Sequence, residues 1–276
     1  MYKMGAGGTA CVNSADSPLF FSKYREVNMN TDSKLLFART EDLFSLCQKH
    51  CEAKFSQFLD SGEAALIEDK FSMPYGYNTM FFGGYDGAER KILGVFPEWE
   101  EAGREAFPLS VVRFDVPKFR TLTHRDYLGT LMSLGLDRSK TGDILADNTG
   151  AYVVLMSDIA EYVVRNVTKI ASAGVKGRIA EDFTAPKPKM KERMCVCASA
   201  RLDAVVAAAF NISRNAAEKA VNSGGVKVNH REVYDRSKQI DEGDLISVKG
   251  FGRFIFKEIG SGTNKGRLHI TVELFV

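Results

Sequence analysis

The clearest structural signal in this chain is residues 201–229, RLDAVVAAAFNISRNAAEKAVNSGGVKVN. Apolar residues recur at three- and four-residue steps in the first ten positions, which predicts a short amphipathic helix. Its expected buried face consists of Leu202, Val205, Val206 and Ala209. Ser213 is a favourable N-cap for a second helix, which ends at Gly224-Gly225 before a strand begins at Val226. The stretch therefore predicts a compact module of two helices and a strand.

The residues around this module extend it into a domain. Residues 241–244, DEGD, predict a tight turn, and the apolar stretches 245–249, 253–259 and 268–275 predict strands. Upstream, residues 184–189 hold two prolines and two lysines, a composition typical of a solvated linker. We therefore place a C-terminal domain at residues 190–276.

The rest of the chain predicts two further structured parts. Residues 31–79 show mainly helical periodicity and form an N-terminal helical unit, with Ser61 as the N-cap of its second helix. Residues 80–183 interleave strand and helix patterns, which predicts a central α/β sandwich. Residues 1–30 lack a periodic apolar pattern and are expected to be a flexible leader, or to precede a true start near Met29. The predicted fold class is α+β, within a length of 276 residues that suits two or three domains.

The charge of the chain is distributed unevenly. From Lys187 onward there are 16 Lys and Arg against 10 Asp and Glu, whereas the preceding residues hold 21 against 25. An excess of basic residues in one module is expected when that module faces a polyanion, although a solvated basic surface gives a similar count.

Several basic and polar side chains of the C-terminal domain fall outside its apolar pattern. The candidate phosphate-binding residues are Arg201, Arg214, Lys219, Lys227, Lys249 and Arg253, with polar contacts expected from Ser213 and Asn229. Guanidinium groups fork onto phosphate oxygens, and helix N-termini offer backbone N–H groups to the same anions. Six such contacts would make binding to nucleic acid steeply dependent on salt.

The order and spacing of four segments resemble the S4 RNA-binding domain. These segments are Arg201-Leu202-Asp203, residues 213–217 (SRNAA), residues 225–229 (GVKVN) and Glu242-Gly243-Asp244. The resemblance implies that the two helices and the adjoining strand bind structured RNA. It places Arg201, Ser213, Arg214, Lys219, Lys227 and Asn229 at the contact.

Further segments resemble the YlmH family, also called RqcP, over about residues 35–254. They are residues 83–90 (GGYDGAER), residues 124–135 (HRDYLGTLMSLG), Arg138, residues 142–144 (GDI) and residues 248–254 (VKGFGRF). The resemblance implies a non-enzymatic protein that binds ribosomal and transfer RNA on the large ribosomal subunit. Such proteins assist template-independent tail synthesis in ribosome-associated quality control, and a link to cell division attaches to the family name. The middle region would be a second RNA-binding domain, which makes Arg90, His124, Arg125 and Arg138 secondary candidates.

Two other functions compete with this interpretation. An RNA-modifying enzyme of the pseudouridine synthase type can carry an S4 domain, and its catalytic Asp lies in an Arg-Leu-Asp motif. Residues 201–203 spell that motif, but the Thr-Ser-Gly that normally follows it is missing, and the S4 domain of such enzymes usually comes first. A division scaffold that binds protein is the other possibility, and it predicts weak RNA association that does not depend on salt.

The sequence gives no sign of a membrane span, a secretory signal or a cofactor site. No apolar run reaches the roughly 18 residues that a transmembrane helix needs. The five cysteines are odd in number, and Cys195 and Cys197 lack a partner pair at zinc spacing, so we expect free thiols and no metal. We expect a cytoplasmic monomer without cofactors.

Overall fold

The computed structural model describes residues 31–117, 122–186, 189–262 and 266–275. The chain divides into two compact units between Ala185 and Pro186. The expected leader at residues 1–30 and the linker residues 187–188 lie outside the described residues.

The described residues of the N-terminal unit form four α-helices and nine strands. The helices are α1 (Thr31–His50), α2 (Ser61–Lys70), α3 (His124–Ser133) and α4 (Ser157–Asn166). The strands are β1 (Lys54–Phe55), β2 (Tyr77–Phe82), β3 (Ile92–Pro97), β4 (Leu109–Asp115), β5 (Thr141–Asp147), β6 (Gly150–Met156), β7 (Lys169–Ile170), β8 (Ala173–Gly174) and β9 (Lys176–Ile179).

The first layer of this unit packs α1 and α2 on an antiparallel sheet with the order β1-β3-β2. The helical pattern of α1 continues in the sequence to about Phe58, but the helix ends at His50 because Cys51 adopts a left-handed conformation with φ of 53°. Asp60, not Ser61, is the N-cap of α2, and Glu63 completes a capping box with it. The division expected at residues 79/80 remains a prediction, although β2 crosses it.

The second layer of the unit is a four-stranded antiparallel sheet with the order β5-β6-β4-β9, covered by α3 and α4. Its central strands are strongly apolar and bury Val112, Phe114, Val153 and Leu155. This sheet positions the segments around Arg90 and Arg138, because β5 begins directly after the short 3₁₀ turn Arg138–Lys140.

In the C-terminal unit, the residues that the structure describes form two helices on a six-stranded antiparallel sheet. Its elements are β10 (Met190–Cys197), α5 (Leu202–Phe210), α6 (Arg214–Asn222), β11 (Val226–Val228), β12 (Arg231–Glu232), β13 (Leu245–Val248), β14 (Gly252–Gly262) and β15 (Leu268–Phe275). The strand order is β10-β15-β14-β13-β11-β12. The predicted helix face of α5 is fully buried against the inner side of this sheet, where Phe254, Phe256 and Val272 meet it. Burial of these side chains is the main stabilising contribution to the module.

Candidate nucleic-acid interface

Arg201 and Arg214 converge on the carboxylate of Asp203 at the start of α5. Nε and Nη2 of Arg201 donate to Oδ1 and Oδ2 of Asp203 at 3.1 and 3.2 Å. Nε and Nη2 of Arg214 both donate to Oδ2, at 3.0 and 2.9 Å. The backbone N–H of Ala204 donates to Oδ1 at 3.0 Å. One acid therefore orients two arginines, Arg201 at the N-cap of α5 and Arg214 in the first turn of α6.

Asp203 is fully buried and remains ionised because of these contacts. Burial alone would raise the pKa of its carboxyl, but hydrogen bonds and charge from Arg214 and Arg201 outweigh that effect and hold the pKa below its usual value. The side chains of Arg201 and Arg214 are 31% and 49% exposed. The two guanidinium groups are therefore held in place by Asp203 and still expose positive charge to solvent.

The helix N-termini offer fewer free N–H groups to an anion than the sequence suggests. The N–H groups of Leu202 and Asp203 donate to the carbonyls of Lys238 and Arg236, so the start of α5 is already satisfied. Ser213 is the N-cap of α6, as predicted, and its Oγ accepts from the N–H of Ala216 at 3.2 Å. The hydroxyl of Ser213 thus has a structural role in addition to any RNA contact.

The exposed side of α6 adds charge next to the arginine pair. Lys219 is exposed, and none of the contacts among the described residues engages its side chain. Arg236, which sequence reasoning missed, donates to Glu218 at 2.8 Å, and Glu218 also lies 3.8 Å from Nε of Arg214. Arg236 lies in a loop, where no apolar periodicity marks its orientation. The only sequence signal was its closeness to another basic residue, Lys238.

Lys227, Lys249 and Arg253 line one open groove of about 560 Å³ on the outer side of the sheet. Lys227 is paired with Ser247, and Ser247 with Arg253, so these residues lie in register across β11, β13 and β14. Gly224, Gly225 and Gly252 form part of the groove wall. The structure therefore separates the predicted residues into an arginine pair on the helices and a basic groove on the sheet.

The groove is amphipathic and only partly neutralised. The guanidinium of Arg253 lies 4.3 Å from the ring centroid of Phe275, and Nζ of Lys227 lies 4.0 Å from the Glu232 carboxylate. An exposed ion pair at that distance contributes little to stability. Lys227 therefore keeps most of its capacity to bind an anion.

Asn229 is exposed, and its side-chain amide shapes a turn. Its backbone is left-handed, with φ of 48°, and its Nδ2 donates to Asp244 at 2.6 Å. Its Oδ1 accepts from the N–H of Leu245 at 2.9 Å. The amide is thus used within the protein, and its expected RNA contact stays a prediction that these bonds disfavour.

The secondary candidates Arg90 and Arg138 bind backbone carbonyls in the N-terminal unit. Arg90 donates to Thr141 and Phe58 at 3.0 and 3.1 Å, and Arg138 donates to Thr141 and Gly142 at 2.5 and 3.0 Å. Each guanidinium is half-buried. These contacts join the loop after β2, the segment before α2 and the start of β5.

His124 and Arg125 lie in the first turn of α3, at the surface. The cap of this helix is Thr123, whose N–H and Oγ1 donate to the Asp126 carboxylate at 2.8 and 2.7 Å. Thr123 and Asp126 form the capping box between them, so His124 takes no part in it. His124 and Arg125 are thereby left to other roles.

Arg113 is a buried arginine that the sequence analysis did not single out. It donates to Asp115 at 3.0 Å, to Asp147 at 2.8 Å and to Thr149 at 2.6 Å, and it lies 4.6 Å from the Tyr152 ring centroid. Because Arg113 is only 4% exposed, it stabilises the sheet and cannot reach a ligand. Its position in an apolar strand gave no signal of these partners.

Comparison with known proteins agrees with the two-unit arrangement. Residues 103–181 match the family described as "Putative RNA-binding domain in YlmH", and residues 200–246 match the S4 domain. The chain is 34% identical over 232 residues to Ribosome-associated protein quality control protein P2 of Bacillus subtilis (strain 168), covering 83% of this chain and 90% of the relative. The chain belongs to the YlmH family of S4-domain proteins. This confirms the resemblance inferred from the sequence.

A solved structure of a YlmH protein gives a second comparison. Cell division protein ylmH from Streptococcus pneumoniae matches with a TM-score of 0.49 and 13% identity, over 56% of this chain and 94% of that one.

The matched S4 segment in our YlmH-family chain contains Arg201, Asp203, Arg214 and Lys227. The predicted mixed helix and strand architecture, with an S4 domain at the C-terminus, is confirmed.

Two further properties concern the described part of the chain. Within it, no three His, Cys, Asp or Glu side chains are grouped as metal ligands would be. None of its helices combines the length and apolarity needed to cross a membrane.

Proposed function

We propose that this protein is a non-enzymatic RNA-binding factor that acts on the large ribosomal subunit in ribosome-associated quality control. The observation that carries the proposal is the pair of half-exposed arginines, Arg201 and Arg214, held on the buried Asp203 within an S4 domain. The name of the 34% identical Bacillus relative supports the ribosomal setting. Its RNA partners would be ribosomal and transfer RNA.

The physical basis is electrostatic preorganisation. Asp203 orients both guanidinium groups before RNA arrives, so less side-chain entropy is lost when phosphate oxygens bind. Lys227, Lys249 and Arg253 supply a second set of cations along the groove. Shape and backbone charge, more than base sequence, would be recognised by such a surface.

The enzymatic alternative is disfavoured by the state of Asp203. A catalytic Asp in the Arg-Leu-Asp motif must reach its substrate, whereas Asp203 is fully buried and accepts five hydrogen bonds from Arg201, Arg214 and Ala204. No other observation favours an RNA-modifying activity. We propose that the protein works as a cytoplasmic monomer, the ribosome being its main partner.

The test is sedimentation of the protein with purified ribosomal subunits across a series of salt concentrations. The double variant Arg214→Ala/Lys227→Ala removes one cation from the helices and one from the groove. Lys34→Ala/Lys49→Ala removes the same charge from exposed positions of α1 and is the control. We expect salt-sensitive binding to the large subunit that fails only in the first variant. Absence of binding at low salt, or equal binding by both variants, would refute the proposal.

A further inference from the structure

Two arginine side chains of the N-terminal unit converge on one carbonyl oxygen. Nε of Arg90 donates to the carbonyl of Thr141 at 3.0 Å, and Nη1 of Arg138 donates to the same oxygen at 2.5 Å. A shared acceptor holds the two guanidinium groups side by side, although their like charges repel. Positive charge is therefore concentrated at one place.

The other acceptors of this pair are neutral. Arg90 also donates to the carbonyl of Phe58 at 3.1 Å, and Arg138 to that of Gly142 at 3.0 Å. Carbonyl oxygens orient a guanidinium without cancelling its charge. Over the described ranges, neither guanidinium group is hydrogen-bonded to a carboxylate.

Asp143 is the acid that acts on both arginines, but its oxygens are occupied by other donors. It accepts from the Tyr85 hydroxyl at 2.8 Å and from the backbone N–H groups of Glu89 and Arg90 at 2.7 and 3.1 Å. One carboxylate can offset one of the two positive charges. The cluster therefore keeps a net positive charge.

The effect of this excess charge extends to neighbouring groups. Burial and the positive charge of Arg90 lower the pKa of Arg138 to about 10. The imidazole of His124 lies at the surface but is partly desolvated by neighbouring atoms. This desolvation and the positive charge of Arg138 lower the pKa of His124 as well. An anion bound at the pair would relieve the repulsion among all three groups.

Both arginines retain unused donors for such an anion. Nη1 of Arg90 and the Nε and Nη2 groups of Arg138 make no hydrogen bond to any residue that the structure describes. Planar forks with free N–H groups match the oxygens of a phosphate. We propose that Arg90 and Arg138 form an oxyanion site for a backbone phosphate of RNA, with His124 at its rim. The inference rests on the proposed RNA-binding function and adds a contact in the N-terminal unit.

The net charge of the surrounding sequence argues for a localised contact. The residues before Lys187 carry an excess of acidic groups, 25 against 21 basic ones, so this unit does not attract polyanions in general. A fixed pair of arginines in such a setting suits one positioned phosphate.

The test uses NMR of the histidine rings in the full-length protein, which has four His. Inorganic phosphate is added first, and a short RNA hairpin in a second arm. We expect phosphate to raise the pKa of His124 by about half a unit or more, because a bound anion favours the imidazolium. RNA should shift the same resonance, and His124→Gln identifies it.

Two substitutions test the residues of the site. Arg138→Lys keeps the charge but loses the fork, and we expect phosphate binding to weaken by about fivefold or more. Because Arg138 also supports the fold, His124→Glu is the second variant; it leaves every guanidinium contact intact and should repel the anion. This variant lacks the reporter ring, so its phosphate binding is compared with that of the wild type by titration calorimetry. Gln48→Glu makes the same charge change at an exposed position of α1 and should have no effect.

The outcomes separate this site from the S4 surface. No response of His124 to phosphate, or a response to phosphate but none to RNA, would overturn the proposal. Arg214→Ala/Lys227→Ala should respond to phosphate like the wild type, even when it no longer binds ribosomal subunits. A phosphate response that disappears in that variant would place the anion in the other unit and would also overturn the proposal.

Discussion

Arg214 donates two hydrogen bonds to the same oxygen of Asp203, from Nε at 3.0 Å and from Nη2 at 2.9 Å. Asp203 is fully buried in the first turn of α5, whereas the side chain of Arg214 is half exposed at the start of α6. The carboxylate fixes one edge of the guanidinium and leaves Nη1 unbonded among the described residues. The relationship ties the packing of the two helices to the orientation of a guanidinium group that is a candidate for phosphate binding.

Replacement of Asp203 by Asn should reduce both stability and RNA binding. The amide can accept fewer hydrogen bonds from the two arginines and no longer offsets their charge, so we expect a loss of about 2 kcal/mol in the free energy of unfolding. Urea denaturation measures this loss. Asp235→Asn, at an exposed turn position, is the control and should change stability by less than about 0.5 kcal/mol. Equal stability of the two variants would show that Asp203 does not organise the helices.

A pair of glycine substitutions tests the packing of the N-terminal unit. A Cβ on Gly142 would lie 2.6 Å from the Phe58 ring, so Gly142→Ala should destabilise the protein by about 1–3 kcal/mol. A Cβ on Gly129 meets nothing within 4 Å, and Gly129 lies inside α3, so Gly129→Ala should stabilise by about 0.5–1 kcal/mol. Thermal unfolding of both variants would check the opposite signs. Stabilisation by Gly142→Ala would contradict its close packing against Phe58, and destabilisation by Gly129→Ala would contradict the open space around Gly129.

How much of this structure the sequence could predict depends on the range of each interaction. Local periodicity and capping located α5, α6 and the strand at Val226, because those signals lie within a few residues. The sequence pattern did not predict strand β10, because it contains the polar run Lys191-Glu192-Arg193. The strand is stabilised by its pairing with β15, about 80 residues away in the sequence. The carbonyl acceptor shared by Arg90 and Arg138 and the burial of Asp203 likewise depend on tertiary contacts between distant parts of the sequence. The residue types of the site were therefore predictable, whereas their partners were not.

The ion pair of Arg113 with Asp147 should make stability depend on pH. Burial opposes ionisation of Asp147, but hydrogen bonds from Arg113 and Thr149 prevail and hold its pKa well below the usual range. A depressed folded pKa means that the stabilisation is complete above about pH 4 and is lost as the pH falls towards the folded pKa. The free energy of unfolding of the wild type should exceed that of Asp147→Asn at pH 6, and the difference should narrow at pH 3. Urea denaturation at the two pH values measures it, and a constant difference would exclude a role for this carboxylate.

Salt dependence should distinguish lysines that bind phosphate from those that are already neutralised. Lys249 lines the basic groove, so Lys249→Ala should weaken RNA binding and reduce the slope of log K against log salt by about one. Lys257 lies in the same unit, but its Nζ is paired with Glu192 at 3.0 Å and with Glu273 at 2.8 Å. Lys257→Ala should therefore leave the slope unchanged, because the two carboxylates already neutralise this ammonium group and it does not displace counterions from RNA. Binding of a fluorescent RNA hairpin over a series of salt concentrations measures both slopes, and an equal reduction in the two variants would mean that net charge, not the groove, determines affinity.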